Sequence, residues 1–143
     1  MSDFSFRNNP KLKQVGVKIE WTEHKIQEFR KCANDPIYFI ENYFHVVHID
    51  RGLVKMKLWE YQKEFIDKIH NNRFVSARMA RQMGKTTVVA AYLCWYIIFN
   101  PEKYVGIVAN KAKGAKSILK RIKKGYQDIP KWLQQGVVEW NKE

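Results

Sequence analysis

The sequence predicts an α/β fold in which a parallel sheet follows a helical subdomain. Three stretches lead to that expectation. Phe74–Arg78 and Tyr104–Ala109 are short apolar runs of strand length, and Thr86–Phe99 between them is apolar on all sides, as a buried helix would be. A strand, a helix of about 15 residues and a second strand make a right-handed crossover between parallel strands. The turn into that helix carries Gly84-Lys85-Thr86, so the unit has the order strand, phosphate-binding loop, helix.

Taken in order, residues 1–20 hold Asn8-Asn9-Pro10, scattered lysines and little periodicity, which predicts a flexible N-terminal arm. Residues 21–57 read as a helical subdomain. Thr22 is a capping residue, and Ile26, Phe29 and Cys32 recur at helical spacing after it. Asp35-Pro36 then places an N-cap and a first-turn proline ahead of a second helix to about Phe44, with Tyr38, Phe39, Tyr43 and Phe44 on its apolar face. His45 to Gly52 is extended and ends in a turn. The pair His45/His48 invites a metal reading, but no cysteine or carboxylate set completes a ligand shell, and an irregular strand edge explains the pattern.

Residues 58–143 form the first part of the loop-bearing domain. Trp59–His70 is a helix with Tyr61, Phe65, Ile66 and Ile69 on its core face, and Asn71-Asn72 ends it. Asn100-Pro101 stops the apolar helix. A last helix runs from about Lys111 to Tyr126, lined by Ala115, Ile118, Leu119, Ile122 and Tyr126. Its other faces carry Lys113, Lys116, Lys120, Arg121, Lys123 and Lys124, with no acid in the span. Such a face is either simply solvated or a contact for phosphates. Val137–Trp140 reads as a further strand.

The totals agree with a folded, basic protein. Of 143 residues 45% are apolar and 14% aromatic, enough for a core. Lysine and arginine number 26 against 14 acids, a net charge of +12, which points to a polyanionic partner such as nucleic acid. Cys32 and Cys94 lie far apart and fit no disulfide or zinc spacing, which suits a reducing cytoplasm. The N-terminus has no signal-peptide core, and the apolar helix is shorter than the roughly 20 residues a membrane span needs, so no membrane association is expected.

The loop is where residue types meet a chemistry. Backbone N–H groups of a phosphate loop wrap an anion, and the positive end of the following helix adds to the attraction. Gly84 lets the backbone approach the phosphate, Lys85 neutralises the β and γ oxygens, and Thr86 offers its hydroxyl to Mg²⁺. The template G-x-x-x-x-G-K-[ST] departs at its first glycine, which is Met79 here. Arg81 lies within the loop, close enough to serve as an arginine finger in cis, or to bind a carboxylate or DNA phosphate at the surface.

Arg81-Gln82-Met83-Gly84-Lys85-Thr86-Thr87-Val88-Val89-Ala90 resembles the deviant Walker A motif of large terminase subunits from T4-like tailed phages. That family commonly lacks the first glycine, and its loop arginine is taken as the cis finger. Leu58-Trp59-Glu60-Tyr61-Gln62-Lys63 is similar to the adenine-recognising segment of these ATPases, in which a glutamine amide reads both edges of the base. Asp35–Tyr43, Val105–Lys111 and Gly136–Lys142 look similar too, so the resemblance runs from about Trp21 onward. It implies an incomplete P-loop NTPase (RecA-like) parallel sheet. It further implies ATP held by Tyr61, Gln62, Gln82, Met83, Gly84, Lys85, Thr86 and Thr87, with Lys85 and Arg81 catalytic and Thr86 on Mg²⁺. By the same resemblance the function is the N-terminal ATP-binding part of a DNA-packaging motor ATPase. Its partners would be double-stranded DNA, the portal protein, the small terminase subunit and further copies of itself, at the prohead portal in the host cytoplasm.

One part of that machinery has no counterpart. The family's motor needs an apolar strand ending in an aspartate for Mg²⁺ and a glutamate that activates water. The acids after Thr87 are Glu102, Asp128, Glu139 and Glu143, and none follows such a strand. The expectation is therefore an N-terminal piece (a truncated frame, a split gene or a fragment) that is marginal or self-associating and binds ATP weakly. Two rivals stay open: a helicase-like P-loop ATPase fragment, and a non-catalytic basic DNA- or motor-binding protein derived from a terminase gene.

Overall fold

Residues 5–141 are described by the computed structural model. Residues 1–4 of the expected arm, and Lys142 and Glu143 at the other end, lie outside the described residues.

The chain opens with an antiparallel hairpin, β1 (Ser5–Phe6) and β2 (Asn9–Lys13), turned by Arg7 and Asn8 at positive φ. Part of the segment expected to be a flexible arm is thus folded back onto the opposite end of the chain. Leu12 is buried, and the reason is a side chain far away in sequence. Gln134, itself buried, accepts a 2.9 Å hydrogen bond from the Lys13 N–H and donates to the carbonyls of Lys11 (2.9 Å), Tyr126 (3.1 Å) and Ile129 (3.2 Å). A buried amide with its donors and acceptor all engaged costs little and fixes register. Gln14 pairs with Val137 in an isolated parallel bridge, which takes the place of the strand expected over Val137–Trp140.

The first helices follow their sequence signals. α1 (Glu23–Asn34) is capped by Thr22, whose hydroxyl accepts from the Lys25 N–H. α2 (Pro36–Tyr43) is capped by Asp35, whose carboxylate accepts from the N–H groups of Ile37 (2.8 Å) and Tyr38 (3.1 Å). A second antiparallel hairpin, β3 (His45–His48) and β4 (Gly52–Lys55), occupies the stretch read as extended with a turn. Among the described residues, no three His, Cys, Asp or Glu side chains gather as a metal shell would require.

α3 (Glu60–Asn71), α4 (Lys85–Phe99) and α5 (Ala112–Asp128) complete the fold. α4 is the central element, packed on α2, α3 and α5. A helix apolar all round must be covered on every side, and Val88, Ala90, Ala91, Cys94, Trp95 and Ile98 are all buried. The Trp95 indole N–H donates to the Cys32 carbonyl at 2.7 Å, and Phe99 meets Phe29 and Phe39 edge to face, so α1 and α2 lock onto α4. Gly125 allows α5 to lie directly on the Phe44 ring, where any Cβ would collide. No described helix is long and apolar enough to cross a membrane.

The sheet differs from expectation. Phe74–Arg78 and Tyr104–Ala109 are not strands, and both sheets are two-stranded and antiparallel, so the fold is mixed α/β without the expected P-loop NTPase parallel sheet. An extended segment becomes a strand only when a neighbour takes up its N–H and C=O groups. Neither segment pairs with another strand among the described residues, and apart from Ile107, which packs against the core, their side chains lie outside it. Phe74 is 83% exposed, Tyr104 100% and Val108 96%.

Candidate functional site

The loop leads into α4 through two residues in left-handed conformation, Gln82 (φ 64°) and Gly84 (φ 73°). Gly84 is the N-cap of α4, and a Cβ there would lie 2.9 Å from the Gln62 amide nitrogen, so both backbone angle and space call for glycine. Its carbonyl accepts from the N–H groups of Thr87 and Val88, each at 3.0 Å. The N–H groups of Lys85 and Thr86 come earlier in the helix and have no partner among the described residues. They are orphan donors at the positive end of the central helix, the arrangement an anion fits.

α3 supports the loop from below. Gln62 is buried, and its amide is fully occupied. Its oxygen accepts from the Trp59 N–H at 3.1 Å, and its nitrogen donates to the Met83 carbonyl at 3.2 Å and to the Tyr61 hydroxyl at 3.3 Å. Tyr61 donates to the same Met83 carbonyl at 3.2 Å. Two side chains from the first turn of α3 therefore grip one carbonyl, and that grip sets the approach of Gly84. Beside it lies an open cleft of about 370 Å³, lined by Tyr61, Glu64, Phe65 and Lys68 of α3, by residues 75–80 and by Met83.

The Lys85 ammonium turns back into the loop and donates to the carbonyls of Met79 (3.3 Å) and Ala80 (3.5 Å). Arg81 and Gln82 are exposed, and Arg81 makes no hydrogen bond or ion pair among the described residues. Thr86 and Thr87 are half-buried on the first turn of α4, where Thr87 accepts a 2.9 Å hydrogen bond from Arg121 of α5.

Of the residues expected at the site, Tyr61, Gln62, Met83 and Gly84 are thus brought into contact. Lys85, Thr86 and Thr87 adjoin them along the helix, while Arg81 and Gln82 are exposed and make no side-chain hydrogen bond among the described residues. Sequence reasoning missed the role of Arg121 in tying α5 to this turn. The available signal was the acid-free basic face of α5, which says nothing of a threonine 34 residues earlier.

Such a site defines a mixed α/β protein with a glycine-turned loop at the N-terminus of a buried central helix. Residues 78–143 match the model of the family described as terminase large subunit, T4likevirus-type, N-terminal. The match begins at the loop and includes α4 and α5, so Arg81 and Gln82 to Thr87 fall inside it and Tyr61 and Gln62 fall outside. It covers less of the chain than the resemblance read from Trp21 onward. The match supports a terminase-related function.

Proposed function

We propose that this chain is the N-terminal ATP-binding part of a terminase large subunit, a family whose motor packages double-stranded DNA into a prohead. One observation carries the reading: the left-handed Gly84 turn that presents the free Lys85 and Thr86 amides at the head of α4, within the family-matched segment. Two orphan N–H donors at the head of the helix support a phosphate there, and the left-handed Gly84 holds the turn that presents them.

The residues then divide the work. Lys85 would leave the Met79 and Ala80 carbonyls to meet the outer phosphates, a fair exchange because Lys85 is exposed and both bonds are long, at 3.3 and 3.5 Å. Thr86 offers its hydroxyl to Mg²⁺, whose remaining ligands would be phosphate oxygens and water. Arg81, solvent-exposed and uncommitted, is free to swing toward the γ-phosphate. Gln62 and Tyr61 act first as a brace on Met83. Adenine reading by the Gln62 amide nitrogen requires that it give up one of its present bonds.

Glu64 lines the cleft beside the loop, but its carboxylate is paired with Lys68 at 2.7 Å. Asp128 is committed to Lys124 at 2.6 Å, and Glu102 and Glu139 are exposed on segments without partner strands. Binding is therefore supported by the described residues, and water activation is not. That shortage, with the charge of +12, favours as a second reading a non-catalytic basic partner of DNA or of the motor. The portal protein, the small terminase subunit and other copies of the chain are the partners proposed with the first reading, in the host cytoplasm.

Lys85→Ala separates the two. ATP binding measured by calorimetry is expected to weaken at least about tenfold through loss of one charge-assisted contact, while duplex DNA binding in a gel-shift assay stays unchanged. Unchanged ATP affinity would remove the loop from consideration.

A further inference from the structure

A second cleft, of about 490 Å³, opens between strand β3 and helix α5 and shares no lining residue with the first. Phe44, His45 and Val46 form one wall. Thr87, Lys120 and Arg121 face it, with Ser117 and Lys124 alongside. The charges here are unbalanced. Lys124 is neutralised by Asp128, but Lys120 and Arg121 have no carboxylate partner among the described residues. Arg121 spends one of its five N–H donors on a neutral hydroxyl, Thr87 Oγ1, at 2.9 Å. The His45 Nδ1 is buried and has no hydrogen-bond partner among the described residues.

A guanidinium with spare donors, an uncompensated ammonium and two hydroxyls (Thr87 and Ser117) form a set suited to a tetrahedral oxyanion, which a guanidinium binds through paired N–H bonds. We propose that this cleft is a phosphate-binding site separate from the Gly84 loop, and that a phosphate seated in it draws Arg121 off Thr87. Thr87 adjoins Thr86, so the two sites share the first turn of α4. Occupancy of one then alters affinity at the other, and the effect is reciprocal. This coupling rests on the loop reading above, whereas the cleft does not.

The test uses the full chain and inorganic pyrophosphate as the probe, with thermal unfolding as readout, because a ligand that binds the folded state raises Tm by mass action. In Lys85→Ala, which disables the loop, pyrophosphate is expected still to raise Tm. Adding Arg121→Ala should weaken that response at least tenfold, and adding Lys120→Gln instead, at an exposed position without packing, should weaken it in the same direction. Loss of the whole response in Lys85→Ala alone overturns the proposal, as does an undiminished response in both double variants. The failure of the loop reading appears separately, as wild-type ATP affinity in Lys85→Ala. A short DNA duplex added to Lys85→Ala distinguishes the source of the phosphate. Competition with pyrophosphate assigns the site to a nucleic-acid backbone, and its absence assigns it to a free polyphosphate; both results keep the site.

Discussion

The interior around α4 and the extended segments at 74–78 and 104–109 are both apolar in sequence, yet they end in opposite environments. Trp95 and Ile98 are buried, and Phe74 and Tyr104 stand in solvent. The difference lies in who satisfies the backbone. A helix closes its own hydrogen bonds and needs neighbours only for side chains, which α2, α3 and α5 supply, with Phe29 and the Cys32 carbonyl from α1. An extended segment needs a neighbour for its backbone first, and burial comes with that neighbour. The candidate loop hangs between the two regimes: Gly84 is fixed at the head of the packed helix, whereas Ala80 is exposed and Met79 half-buried.

This contrast can be broken or sharpened by substitution. The largest effect is expected at Trp95→Ala, which removes a buried indole and its bond to Cys32. The expected loss is about 3–5 kcal/mol of stability, read from urea denaturation. A loss below about 1 kcal/mol would mean that α4 is not the centre of the core.

A middle effect is expected where α1 meets α2. Glu28 accepts from Lys31 Nζ (2.9 Å), the Tyr43 hydroxyl (2.8 Å) and the Tyr38 hydroxyl (2.8 Å), and these bonds hold its carboxyl down at about 2, against an ordinary value of 4.5. A carboxyl depressed in the folded state contributes stability above its unfolded value and loses it as protons bind. The contribution is therefore complete above about pH 4.5 and falls away between there and about pH 2. Glu28→Gln should cost about 1–2 kcal/mol at pH 7 and flatten the decline in urea midpoint across that window. An unaltered pH slope in the variant would show that other carboxyls cause it.

The smallest effect is expected on the exposed side. Phe74→Ser and Tyr104→Ser should change stability by less than about 0.5 kcal/mol, because neither side chain is packed. They should also reduce self-association seen by sedimentation, since an unpaired apolar edge is a template for another chain. A loss of several kcal/mol would show that these segments pair in solution.

The helix boundaries were legible because their causes are local. Thr22, the Asp35-Pro36 pair and Asn100-Pro101 act within a few residues of themselves, and the helices begin and end where they stand. The start of α4 at the Gly84-Lys85-Thr86 turn was legible for the same reason, whereas the left-handed angle of Gly84 is seen only in the structure. The hairpin at residues 5–13 was not legible, since what folds it is Gln134, more than a hundred residues away. The parallel sheet was misread because strand length and apolarity describe a segment, whereas a strand is a property of a pair.

The candidate site divides along the same line. Sequence by itself determined the order loop, lysine, threonine, helix, and the excess of cations over acids that surrounds it. Tertiary structure decided that Gln62 and Tyr61 are spent on the Met83 carbonyl and that Lys85 folds back onto Met79 and Ala80. It also decided that Arg121 reaches Thr87, beside a cleft that local pattern did not announce. Charge and residue order are written along the chain, but a hydrogen bond belongs to whichever partner packing brings within reach.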